Sequence, residues 1–176
     1  MLPEMGIFAI DANCIVGLDN KHVVLIGQQP ATAEFTKAEQ AAIWIGLEQL
    51  AANGRLKVIP AVASELRLRN PEGLARLAKY TATRAVRTNL IRLEYQELID
   101  RYPDWAPRGD ENWEQGDPWL VAFAIVRGYC IVTDEKPKRH QRGRRRNKTK
   151  IPDVCDIQSV PHLTLRGLAE EQGWIK

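Results

Sequence analysis

The chain has 176 residues, 44% of them apolar and 27% charged, which is the composition of one globular domain and excludes a chain disordered throughout. Its formal charge of +3 hides an asymmetry: residues 136–150, KPKRHQRGRRRNKTK, hold nine of the 25 Lys and Arg and no acid, leaving 16 basic residues against all 22 acids, a formal −6, in the remainder. The longest apolar run, Pro118 to Val126, falls short of the roughly 20 residues of a membrane span, and the scattered cysteines and histidines argue against a disulfide framework, a zinc site or a His-based metal site. No cationic leader precedes the first apolar segment, so a cytoplasmic chain without a membrane partner is expected.

Apolar residues run from Gly6 to Ile10 and stop at Asp11, the pattern of a short strand buried on both faces of a parallel sheet. Thr36 and Glu39 have capping-box spacing, and Ala41, Ala42, Ile45 and Leu50 continue an apolar stripe to the Asn53-Gly54 stop, which predicts a helix. Leu56 to Ile59 reads as a strand passing straight into a helix over Ala61–Arg69, with Pro60 pre-setting the first turn. Pro71 to about Arg101 is helical, and Gly73 and the Thr81/Thr83 pair are the places where it breaks into two helices. Residues 102–116, with Pro103, Pro107 and Gly109, form a loop. Asp117 then caps, and Pro118 begins, a helix to Arg127 that is apolar almost all round and therefore buried. Gly128 ends it, and Tyr129–Thr133 is a second buried strand closed by Asp134 and Glu135. After the basic stretch, Ile151 to Ile157 reads as a short strand leading into a helical turn, followed by a weak strand at Leu163–Leu165 and a terminal helix at Arg166–Gln172. Strands alternating with helices predict a single α/β domain with a mostly parallel sheet of four to five strands, and make residues 136–150 a solvated, flexible insertion.

In such sheets, sites lie outside the carboxyl ends of the strands. Asp11 and Asp134 each follow a strand, and Glu65 lies in the opening turns of a helix that follows one, so all three belong to that edge. Asp117 joins them because its helix feeds the next strand and must run antiparallel to it; Asp153 is a fifth candidate if Ile151 enters the sheet in the same direction. Taken singly, each acid is an ordinary cap or turn residue, and Glu65 has Arg67 and Arg69 within pairing distance along its helix. Jointly they raise each other's pKa, and a divalent cation relieves that conflict. Oxygen-only ligation favours Mg²⁺ or Mn²⁺, an ion that binds phosphate oxygens and acidifies water, so the implied reaction is phosphodiester hydrolysis.

Four segments, FAIDANCIV, VIPAVASELRLR, GDPWLVAFAIVRGYCIVTDEK and KIPDVC, resemble those of PIN-domain nucleases in order across most of the chain, and the last suggests the PIN-like DUF4411 branch. The resemblance implies an α/β/α sandwich, a carboxylate cluster for Mg²⁺ or Mn²⁺, and the activity of a ribonuclease toxin held by an antitoxin. By position it assigns Asp11, Glu65 and Asp117 to the catalytic and metal-binding cluster, with Asp134, Glu135 or Asp153 completing it. Asn13 and Thr133 support these acids, although Asn13 has an equal claim as a helix cap.

A phosphatase of the haloacid-dehalogenase kind would use Asp11 as nucleophile but needs a second Asp where this chain has Asn13, and neither a Walker pattern nor G-x-G-x-x-G is present. A stronger alternative is a catalytically inactive PIN-like module that binds nucleic acid or protein. Either way Lys138, Arg139, Arg142, Arg144, Arg145, Arg146 and Lys148 are candidates to hold an RNA backbone or an acidic antitoxin, with further copies of the chain left open as partners. Trp105 and Trp113 are candidates to stack on bases, or to anchor their loop to the core.

Overall fold

The computed structural model describes residues 6–19, 35–105, 116–138 and 149–176. Trp113 and the strip residues Arg139, Arg142, Arg144, Arg145, Arg146 and Lys148 lie outside the described residues. In chain order the elements are β1 (Phe8–Ile10), α1 (Ala12–Asp19), α2 (Lys37–Ala52), β2 (Leu56–Lys57), α3 (Pro60–Arg69), α4 (Pro71–Ala78), α5 (Asn89–Arg101), α6 (Gly116–Arg127), β3 (Cys130–Val132), α7 (Ile151–Gln158), β4 (His162–Leu163) and α8 (Leu165–Glu171), with 3₁₀ turns at Thr81–Thr83 and Pro103–Trp105.

The four strands form one all-parallel sheet in the order β2-β1-β3-β4, flanked by helices as in an α/β/α sandwich. Phe8 lies opposite Leu56 on one side and Cys130 on the other, and Val132 lies opposite Leu163. Every residue of β1 and β3 is buried, as the uninterrupted apolar runs demand of strands covered on both faces. The chain leaves β1 for β2 on one flank and later returns to β3 on the other, so the sheet changes direction between the carboxyl ends of β1 and β3, the place where such sheets open a crevice.

Local signals set the helices. Thr36 and Glu39 form the capping box of α2, with the Thr36 amide donating to Glu39 Oε2 at 2.7 Å and the Glu39 amide to Thr36 Oγ1 at 3.2 Å. Pro60 occupies the first turn of α3. Helix α6 buries Pro118 through Ala124, and Gly128, at φ +66°, takes the left-handed turn that lets it feed β3. No described helix is long and apolar enough to cross a membrane.

Three expectations change. Helix α1 follows Asp11 directly, so Asn13 lies inside its first turn and not at its cap, and Asp11 stands at the capping position with its side chain accepting the Asn13 amide. Asp117 lies inside the first turn of α6, not at its cap. Ile151 opens helix α7 and does not enter the sheet, because Pro152 suits a first helical turn and Ile151, Val154 and Cys155, three and four residues apart, bury one helical face. Asp153 is therefore a helix residue. Trp105 takes the anchoring role: it is buried and its indole N–H donates to the Thr149 carbonyl at 3.2 Å.

Candidate functional site

Asp11 is the first residue beyond β1, at the change of direction in the sheet, and is 3% exposed. Its amide continues the ladder by donating to the Val132 carbonyl at 2.9 Å, which places its side chain next to the end of β3. There Thr133 Oγ1 donates to Asp11 Oδ2 at 3.0 Å and accepts from the Glu135 backbone amide at 3.2 Å, so one hydroxyl joins the Asp11 carboxylate to the backbone that carries Glu135. Asn13, in the first turn of α1, adds two long contacts to the same carboxylate, 3.5 Å from its amide and 3.4 Å from its side chain.

Asp117 enters from α6 and Glu65 from α3. A Cβ at Gly116 would stand 3.6 Å from Glu65 Oε2, so Glu65 lies against the residue that precedes Asp117. Among the described residues no hydrogen-bond donor reaches the Asp117 carboxylate. Burial, then the charges of Asp11, Glu135 and Glu65, push its pKa up to about 7, with Lys150 opposing them. Asp11 is pushed up to about 6, mainly by burial; the Thr133 bond works against this, and the Glu65 and Glu135 charges reinforce it. The four acids Asp11, Glu65, Asp117 and Glu135 thus share one electrostatic neighbourhood.

The outer two are paired. Arg69, one turn along α3, bonds to Glu65 and also reaches Asn13 Oδ1 at 3.0 Å. Lys150 bonds to Glu135 Oε1, while the Ile151 amide at the start of α7 donates to Glu135 Oε2 at 2.8 Å. A continuous string of contacts therefore runs Arg69, Asn13, Asp11, Thr133, Glu135, Lys150, with a cation at each end.

Asp134 and Asp153 are placed in other work. Asp134 accepts the Leu165 amide at 2.9 Å and satisfies the N-terminus of α8. Asp153 accepts the Lys138 amide at 2.9 Å and holds the start of the basic strip against α7. The far end of the strip is fastened at Thr149, whose hydroxyl donates to Asp104 Oδ1 at 2.6 Å. The described ends of the strip are thus fastened to α7 and to the 3₁₀ turn Pro103–Trp105. In the sequence Lys150 reads only as the last residue of the basic strip. Its one signal was its place immediately before Ile151-Pro152, where a helix start would bring it inward.

Among the described residues no three His, Cys, Asp or Glu side chains form a finished ligand set for an ion. Mg²⁺ needs less, since it typically takes one or two carboxylates and keeps several waters. Asp11, at the end of β1, and Asp117, on α6, offer the hard oxygen donors that such an ion takes. The family model described as Domain of unknown function (DUF4411) matches residues 24–175, a segment that begins after Asp11 and α1. No curated protein and no solved structure gives a match.

Proposed function

We propose that this chain, which belongs to the DUF4411 family, is a Mg²⁺- or Mn²⁺-dependent phosphodiester hydrolase of the PIN-domain kind, an endoribonuclease acting as the toxin of a cytoplasmic toxin–antitoxin pair. The observation that carries the hydrolase reading is the gathering of the buried Asp11 and the half-buried Asp117 at the crevice of a parallel sheet, where burial and the neighbouring acids push both carboxyls above their ordinary values. The choice of RNA and the toxin role rest on the resemblance of the four sequence segments. When bound, the ion supplies Lewis-acid polarisation of a phosphate and a more acidic water. The chain's own residues prepare for it. Thr133 and Asn13 orient Asp11, α6 carries Asp117, and Glu65 and Glu135 add to the negative field around it.

The test is single-stranded RNA incubated with the full chain and Mn²⁺. Cleavage is expected, and both a chelator and Asp11→Asn should abolish it while RNA binding persists. Cleavage that survives either change sinks the reading. The lack of a finished three-carboxylate set among the described residues favours, as a second reading, a module that binds nucleic acid without cutting it. RNA binding by the unaltered chain with no divalent-dependent cleavage would select it.

The basic strip is proposed to hold the phosphate backbone over the anionic centre, because it begins directly after Glu135 and ends at Lys150, which bonds to Glu135. Neutralising Arg144, Arg145 and Arg146 together should reduce the slope of log K against log salt by roughly 2, at about 0.7 per lost contact to a single strand. An unchanged slope would assign the strip to another partner.

A further inference from the structure

Residues 84–93, RAVRTNLIRL, hold Arg84, Arg87 and Arg92 and no acid, a second basic stretch apart from the strip. Arg84 bridges to Val58, one step beyond the end of β2, where the Val58 amide donates to the Thr83 carbonyl at 2.9 Å. Helix α5 follows and stops at Arg101, three residues before Asp104, which holds Thr149 at the foot of the basic strip. The helix therefore spans from the end of β2 to that foot. Arg87, just before it, is held by stacking. Its guanidinium lies 4.2 Å over the Trp119 ring, and the other face of that ring stacks on Tyr95 at 3.9 Å with 13° between the planes. Trp119 stands in the first turn of α6, two residues from Asp117, and is 7% exposed. With both faces covered it takes no base; it is a bed that keeps the guanidinium flat. Its indole N–H is buried without a hydrogen-bond partner. Such a donor carries an uncompensated desolvation cost, so it calls for an acceptor that the chain does not supply.

We infer that Arg87 and the Trp119 indole N–H bind one phosphate of a single-stranded RNA whose neighbouring nucleotides lie along α5 toward the basic strip. A guanidinium stacked on an indole presents its edge N–H groups in one layer and the indole N–H in the next, and two oxygens of one phosphate accept from both layers. A small shift of the Arg87 side chain, still stacked, lets the phosphate reach the indole edge. The stack also removes rotamer freedom that an arginine in open solvent would lose on binding, so the contact is largely preorganised. Arg84 and Arg92 add charge to either side. Val86 and Leu90, 72% and 66% exposed, give the bases apolar surface beside it, which a site for a free anion would not need.

This inference rests on the RNA-binding part of the proposed function and not on the ion. Fluorescence anisotropy of a labelled single-stranded RNA with the full-length chain, in chelator so that no cleavage intervenes, reads binding across a salt series. Arg87→Met should weaken binding about tenfold and reduce the slope of log K against log salt by roughly 0.7, one phosphate contact to a single strand. Arg87→Lys keeps the charge without the flat stack, and should lose affinity while holding the slope. Trp119→Phe keeps a stacked ring but lacks the N–H, and should also weaken binding about tenfold. An unchanged slope in Arg87→Met, or an unchanged affinity in Trp119→Phe, overturns the inference while leaving RNA binding by the wild-type chain intact. If Arg87→Met does not melt cooperatively, Arg87→Lys decides, and an affinity equal to the wild type overturns the inference. No RNA binding by the wild-type chain overturns the nucleic-acid reading and this inference together.

Discussion

Asp117→Asn should make the metal-free chain more stable at neutral pH while slowing RNA cleavage by about 10²-fold or more, the usual scale for losing one electrostatic contact to a transition state. The stability gain follows from linkage. In the unfolded chain this carboxyl releases its proton near its ordinary pKa of 3.8, whereas in the folded chain it keeps it to about 7. Between those values the native state binds more protons than the unfolded state, so stability falls as pH rises through the window. A shift of this size corresponds to about 4 kcal/mol at most, at roughly 1.4 kcal/mol per pKa unit. Asp11 carries a smaller upward shift, to about 6, and the two acids repel each other, so removing one charge also relieves the other. A net gain of about 2–4 kcal/mol would raise the melting temperature by roughly 5–15 °C in a domain of this size. Thermal melts of both chains across the range from mildly acidic to mildly alkaline pH provide the check. The curves should converge toward acidic pH, where the wild-type carboxyl is protonated in both states. A variant less stable than the wild type at neutral pH would mean that Asp117 is compensated by groups outside the described residues.

Mn²⁺ or Mg²⁺ should reverse that order for the wild-type chain alone. An ion that binds only the folded state at a hundredfold excess over its dissociation constant adds about 2.7 kcal/mol, which corresponds to roughly 5–10 °C in melting temperature. The shift should be large above about pH 7, where Asp11 and Asp117 are ionised, and should fade below about pH 5 as protons compete for the same oxygens. Chelator should remove it, and Asp117→Asn should lack it throughout. An equal shift in the variant would place the ion elsewhere on the chain.

These expectations also explain why an acidic centre persists in a protein that it destabilises. The folded chain holds the buried Asp11 and the half-buried Asp117 near two further acids, and Thr133 and Asn13 bond to Asp11 while Arg69 and Lys150 pair with Glu65 and Glu135. A site that is strained when empty can be strongly stabilised by the ligand that relieves it.

Much of this geometry was legible in the chain itself. FAI and CIV are uninterrupted apolar runs, and only strands covered on both faces accept them, so the parallel sheet followed from local pattern. The capping box at Thr36, the proline at Pro60 and the glycine at Gly128 act within a few residues of themselves and read correctly for the same reason. Asp11 at a strand end, Glu65 on the helix after a strand, and Asp117 at the start of an antiparallel helix followed from connectivity.

What the tertiary structure decided was where each side chain is spent. Asp134 and Glu135 are chain neighbours with similar chemistry, yet one meets the Leu165 amide and the other meets Lys150 and the Ile151 amide, partners that lie 15 to 31 residues away. Asp153 left the set when Ile151 proved to open a helix, because Pro152 and the three-and-four spacing of buried residues outweighed a β-branched start. Lys150 acquired its place beside Glu135 in the same way, whereas Arg69 stands four residues from Glu65 on one helix and was legible locally. Sequence pattern determined which backbone could form, since burial periodicity and caps are local; the meetings of Asp11 with Thr133 and of Glu135 with Lys150 depended on distances across the folded chain, which no local pattern encodes.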